Sequence, residues 1–285
     1  MSAIERQPLP TVGTVLPNSL GEVPRSRFLG EPDNRYNLWE GSVGYRLNHQ
    51  FSDRWSLRNR FIASFSTFED RSVGANGGLE ALEADNRTVL RFANNNKADN
   101  ESYILQTDVN GEFQSGIINH DLLLGVELQR NVYTRRFVNA DAPPIDLFEP
   151  EYGNFSIPDE SERNYEVSTT DIIGIYAQDL LAIGEQVKVL LGGRFDWYSD
   201  NFEDRIEDFS ENTEVNAFSP RIGLVYQPIE PVSLYASWSR SFVPQFGADL
   251  AGDRFEPTRG EQFEVGVKTE FLDNRLTATL YQFTL

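Results

Sequence analysis

Residues 122 to 132 read Leu-Leu-Leu-Gly-Val-Glu-Leu-Gln-Arg-Asn-Val, and their order decides the fold class. Leu122, Leu124, Val126, Leu128 and Val132 fall on alternate positions, with Leu123, Gly125, Glu127, Gln129 and Asn131 between them. A helix gathers every third or fourth residue onto one face, whereas a strand sends successive side chains to opposite sides, so a period of two predicts a strand with one greasy and one wet face. The pattern returns where Val187, Val189, Leu191, Phe195 and Trp197 oppose Lys188, Arg194, Asp196 and Tyr198. It returns again where Phe263, Val265, Val267 and Phe271 oppose Gln262, Glu264, Lys268 and Glu270. A soluble sandwich alternates in the same way, so periodicity alone does not choose between water and lipid as the outer solvent.

The connections choose. Strands are expected at about residues 34–51, 55–70, 84–114, 120–137, 166–182, 187–203, 214–228, 232–242, 260–272 and 275–285. Short turns at Ser52 to Arg54, Ser115 to Asn119, Gly184 to Gln186, Ile229 to Pro231 and Asp273-Asn274 alternate with long stretches at about 71–83, 138–165, 204–213 and 243–259. In an antiparallel meander alternate connections lie at opposite ends, so the short turns share one rim and the long loops the other. Outer-membrane barrels have this asymmetry, with short periplasmic turns and long outer loops. Trp55, Trp197, Tyr226, Trp238 and Phe271 fall toward strand ends, where aromatic girdles meet the lipid headgroups. The fold class is therefore all-β: an antiparallel meander of about ten long strands in a transmembrane β-barrel.

Composition narrows the function classes. No apolar run approaches the roughly 20 residues of a membrane-spanning helix, and 12% of the residues are aromatic. Cysteine is absent, which removes disulfides, thiolate metal sites and cysteine nucleophiles. A net charge of -19 argues against nucleic acid, whose phosphates demand basic patches. His49 and His120 stand beside short turns and read as solvated turn residues rather than metal ligands, and no cofactor is expected. The acidic stretches Asp159, Glu160, Glu162 and Glu203, Asp204, Glu207, Asp208, Glu211 read as solvated loop charge. Arg194 and Asp196, two apart on the wet face, suggest a charge ladder along a lumen.

Several phrases resemble the barrel of TonB-dependent siderophore receptors, most nearly the ferrichrome and hydroxamate branch. They are Gly13 to Asn18 with Phe28 to Pro32, Val43 to Leu47 with Phe51 to Arg58, and His120 to Val126. Pro144 to Gly153, Ile175 to Asp179, Leu191 to Asp196, and Glu256 to Thr258 with Glu261 to Lys268 follow in order. Gln7 and Pro8 precede Leu9 and Pro10 where ferrichrome receptors carry aromatics, a departure that argues against ferrichrome itself.

The resemblance implies a barrel of about 22 strands around an N-terminal plug, which admits ferric siderophore without covalent chemistry. It divides the chain into an extracellular-loop-like segment at residues 1–33 and a partial barrel at 34–285, with no plug region, so that the ten strands are part of a transmembrane β-barrel they do not close. The implied partners are a ferric siderophore, outer-membrane lipid, and the TonB complex acting through the plug region. It also implies a ligand pocket of aromatic and arginine side chains at the outer mouth. The matching positions here are Tyr133, Arg135, Phe148 and Tyr152, followed by Trp197, Tyr198, Phe242 and Phe246. Aromatic faces would pack on the ligand shell and an arginine would bond its oxygens. Rival readings are a passive porin-like or adhesive barrel, an outer-membrane barrel enzyme such as a surface protease, and a soluble β-sandwich.

Overall fold

The computed structural model describes residues 16–75, 81–159, 164–245, 257–271 and 275–284. Ten strands occupy them: β1 (Arg35–Ser52), β2 (Trp55–Ala75), β3 (Thr88–Ser115), β4 (Ile118–Asp146), β5 (Tyr165–Ile183), β6 (Val187–Asp204), β7 (Phe209–Ile229), β8 (Val232–Val243), β9 (Thr258–Phe271) and β10 (Leu276–Thr284). They form a single antiparallel sheet in sequential order from β1 to β10, with β1 and β10 as unpaired edges. The sheet is thus an unclosed meander.

Register assigns every strand residue to one of two faces. Leu57 of β2 pairs with Val109, Val109 with Leu124, and Leu124 with Ala177, so these side chains share the apolar face. Leu124, Ile173, Ile175, Leu191, Ile222 and Val265 on this face are each 44–56% exposed. Contiguous exposure of that extent is unfavourable in water and natural in hydrocarbon, where lipid completes the packing. Trp55, Trp197, Tyr226, Trp238 and Phe271 all stand on this face. Closely paired strands satisfy the backbone polar groups that lipid cannot bond.

Two strands run much further than the alternation predicts. β4 continues through Asp146, so the stretch expected as a loop from 138 is largely strand. The long loop expected at 204–213 is a four-residue turn, with β7 beginning at Phe209. In that turn Asp204 Oδ1 accepts the amides of Ile206 at 2.9 Å and Glu207 at 3.1 Å, and Asp208 takes a left-handed φ of 51°. Carboxylates that read as solvated loop charge thus include the residue that tightens the hairpin.

Above the lipid zone the apolar face of β2–β4 is covered by protein. Val73, Ala93 and Ala142 pack with Ile157, while Val89, Ile145 and Leu147 pack with Val23, Leu29 and Ala81. The cover is pinned by polar contacts. The Asn34 side chain donates to Val73 O and accepts from Val73 N, both at 2.9 Å, extending the β2 ladder past the start of β1. Arg91 donates to Pro143 O at 2.8 Å, Leu29 O at 3.2 Å and Gly30 O at 3.3 Å, and pairs with Glu31 Oε1 at 2.9 Å. Glu31 Oε2 accepts the Gly153 amide at 2.7 Å.

The loop before β3 carries a local acid-sensitive contact. Asp85 accepts the Thr88 hydroxyl at 2.6 Å and the amides of Thr88 and Arg87 at 2.8 and 2.9 Å, which hold its carboxyl below the usual 3.8. A depressed folded value means that the contribution is complete above the unfolded value and lost as pH falls through the folded one. Amide exchange at Arg87 and Thr88, corrected for its intrinsic pH dependence, is expected to stay constant from neutral pH to about 5 and to accelerate below about 4. Equal corrected rates across that range would remove Asp85 from the account.

Candidate functional site

The polar face is built rung by rung across paired strands. One rung runs Asn48–Arg58–Asp108–Gly125–Tyr176–Arg194–Ser219, and the next toward the long loops runs Arg46–Arg60–Gln106–Glu127–Gly174–Asp196–Ala217. Asp108, 1% exposed, binds Arg58 through Oδ2 at 2.5 Å from Nη2 and accepts the Tyr176 hydroxyl. Arg194 reaches Asp196 at 2.7 Å and Glu127 at 2.9 Å, which realises the charge ladder expected from the spacing of Arg194 and Asp196. Glycine makes this arrangement possible: a Cβ at Gly125 would strike the Tyr176 ring, and one at Gly174 the Arg194 guanidinium. These side chains lie flat along the wall, bounding a recess of about 420 Å³ that also touches Arg221.

Closer to the long loops the chemistry changes. Ile62, Ile104, Ile172 and Tyr198 occupy one rung, and Ser42, Ser64, Ser102, Asn131, Thr170 and Asp200 the next. Above these stand Tyr133, paired with Ser168, and Arg135, paired with Glu166. Arg135 donates to Asn96 at 2.8 Å and its guanidinium carbon lies 4.0 Å from the Phe137 ring centroid. A stacked, hydrogen-bonded arginine is held in one orientation, which suits it to bond oxygens of a passing ligand.

The positions expected at the mouth separate into groups. Tyr133, Arg135 and Tyr198 lie on the polar face. Trp197 and Phe242 lie on the apolar face, Trp197 opposite Ile173 and Phe242 opposite Arg259. Phe148 packs against the cluster around Leu29 and Leu147, and Tyr152 donates its hydroxyl to Phe28 O at 2.9 Å, so both sit in the loop cover. Phe246 lies outside the described residues. Alternation could have found Phe137, which continues the Tyr133 and Arg135 row, had the strand been expected to pass residue 137.

His120 is a correction to the sequence reading. Its side chain is 14% exposed rather than solvated, bonded to Asp179 and Ser115 at 2.7 Å each and stacked on Phe113 at 4.4 Å. The hairpin brings Phe113 opposite His120, and β5 supplies Asp179 from far along the chain. No cluster of metal-binding side chains occurs among the described residues.

Residues 6–284 match the family described as TonB dependent receptor-like, beta-barrel. The chain belongs to that family of TonB-dependent receptors. Among curated relatives it is 35% identical over 286 residues to the metal-pseudopaline receptor CntO of Pseudomonas aeruginosa strain UCBPP-PA14, covering 96% of this chain and 40% of that protein. It is 34% identical over 269 residues to the ferrioxamine B receptor of Salmonella typhimurium strain LT2, covering 92% of this chain and 36% of that one. The crystal structure of the ferric-catecholate import receptor Fiu from Escherichia coli K12 superposes with a TM-score of 0.78 at 21% identity, over 97% of this chain and 46% of that chain. The chain thus spans about two fifths of the length of these curated relatives.

Membership sets this chain in a family of outer-membrane β-barrels whose members are transport receptors rather than enzymes. The family binds ferric siderophores and depends on TonB. The apolar face is accordingly the lipid face, the polar face lines the lumen, and the short turns mark the periplasmic rim.

Proposed function

We propose that this chain forms part of the lumen wall of a receptor that takes a ferric siderophore, or a related metal chelate, from outside and passes it inward at the expense of the TonB complex. The observation that carries the reading is Arg135: an oriented guanidinium on the lumen side of a receptor-family barrel, in one row with Tyr133 and Phe137. Curated relatives named for metal-pseudopaline and ferrioxamine B support the ligand class. Tyr133, Arg135 and Tyr198 are the proposed ligand contacts in the wall, while Trp197 and Phe242 serve the lipid boundary. Phe148 and Tyr152 shape the mouth by fixing the loop cover. The segment at residues 1–33 acts as an outer loop, and residues 34–285 act as part of the barrel wall.

The test is uptake of radioactive iron by cells whose only siderophore receptor carries this chain. Ferric trihydroxamate should enter with TonB present and stop entering without it. Arg135→Ala should raise the half-saturating concentration by about tenfold, as expected for losing a charge-assisted contact of roughly 1.5 kcal/mol. Uptake that ignores TonB, or steady ion conductance from the receptor in planar bilayers, would instead make it a passive pore.

A further inference from the structure

The charge balance of the lumen wall changes along its length. Nearer the periplasmic turns the polar face is balanced, with Arg46, Arg58, Arg60, Lys188, Arg194, Arg221 and Lys268 against Asp108, Glu112, Asp121, Glu127, Asp196, Glu264 and Glu270. Arg60 and Arg221 are bonded to the neutral side chains of Gln106 and Gln178. Toward the long loops, beyond the Ile62–Ile104–Ile172 rung, the same face carries Glu40, Asp70, Asp141, Glu166, Asp200 and Asp204 against the single cation Arg135. None of these carboxylates is ion-paired among the described residues. The negative mouth is therefore not a reflection of the chain's overall charge of -19, since the throat of the same wall carries as many cations as anions.

Asp200 gives the pattern a specific centre. It is 6% exposed, and Oδ1 accepts the Ser168 and Thr170 hydroxyls at 3.0 and 2.6 Å, yet no cation reaches it. A buried carboxylate ordinarily has a cationic partner, because hydroxyl donors alone do not replace its hydration. It stands within the rung of Ser42, Ser64, Ser102, Asn131, Thr170 and Thr213, whose small donors and acceptors suit the amide and carbonyl groups of a neutral chelate backbone.

Resting on the receptor reading above, we infer that this receptor selects metal chelates whose outer surface is cationic, carrying a protonated amine, and disfavours polycarboxylate chelates. Asp200 and Glu166 are the specificity-determining residues: an ammonium entering the mouth meets unpaired carboxylates, whereas a carboxylate tail meets repulsion there. Like-signed fields of this kind act on encounter rates and weaken with salt.

The probes are two ferric trihydroxamates that differ only at the tail, one ending in a free amine and the other in the same amine succinylated. Their association with the detergent-solubilised receptor carrying this chain is followed by intrinsic fluorescence as ionic strength rises. At low salt the amine form is expected to associate about tenfold faster than the succinylated form, a gap that closes at high salt. Glu166→Gln with Asp200→Asn should shrink the gap to within about threefold, while Lys97→Gln, on the opposite face, leaves it intact. Equal rates for the two chelates, or a faster succinylated form, overturn the charge preference while leaving the receptor reading standing. If neither chelate associates, the receptor reading fails and the charge preference falls with it.

Discussion

Replacing Arg91 with methionine is expected to cost about 3–5 kcal/mol of local stability, the usual penalty for breaking a buried ion pair from one side. Arg91 and Glu31 are 2% and 1% exposed, and Arg91 also serves the carbonyls of Leu29, Gly30 and Pro143. Methionine fills some of the volume but leaves the buried carboxylate with the Gly153 amide and no cation, and takes the guanidinium from three carbonyls. The loss should appear as rapid amide exchange over residues 29–34 and as protease cleavage in that segment on intact cells, with the barrel strands unchanged. Adding Glu31→Gln should recover part of the loss, because a neutral amide is far less costly to bury than an unpaired charge. Unchanged exchange in Arg91→Met would mean that the loop cover is held by its apolar contacts alone.

The second large effect separates adjacent residues of one type. Leu124 is 44% exposed on the apolar face, and Leu123 borders the lumen recess on the other. Leu124→Arg is expected to destabilise the folded receptor by roughly 2–4 kcal/mol, as for a cation placed on the lipid face near the bilayer middle. Leu123→Arg should cost less than about 1 kcal/mol, since its guanidinium meets water in the lumen. Urea midpoints, read from heat-modifiable gel migration of the receptor in lipid, measure both. Similar losses for the two, or a larger loss for Leu123→Arg, would reverse the face assignment and with it every lumen contact argued above.

Much of this was legible in residue order because lipid and water demand opposite side chains on the two faces of one strand. The run from Leu122 to Val132 therefore betrayed its faces, and the spacing of Arg194 and Asp196 betrayed a charge ladder that the structure closes with Glu127. The signal ended where the solvent contrast ended. Beyond Arg130, β4 meets water and protein on its apolar side, so Thr134, Arg136 and Ala140 no longer alternate against an apolar row, and the strand to Asp146 looked like a loop. The same loss of contrast hid the start of β7, where Ser210, Glu211 and Asn212 carry polar groups to both faces.

By itself the sequence determined a ten-strand meander with lipid-facing and lumen-facing rows, short turns on one rim, and membership suggested by ordered phrases. Tertiary structure alone decided that Phe148 and Tyr152 belong to the loop cover, where Phe148 packs beside Leu29 and Leu147 and Tyr152 bonds Phe28 O. It also decided the pairing of Arg91 with Glu31 and of His120 with Asp179, 60 and 59 positions apart, because such partners are fixed by register and loop packing rather than by local order.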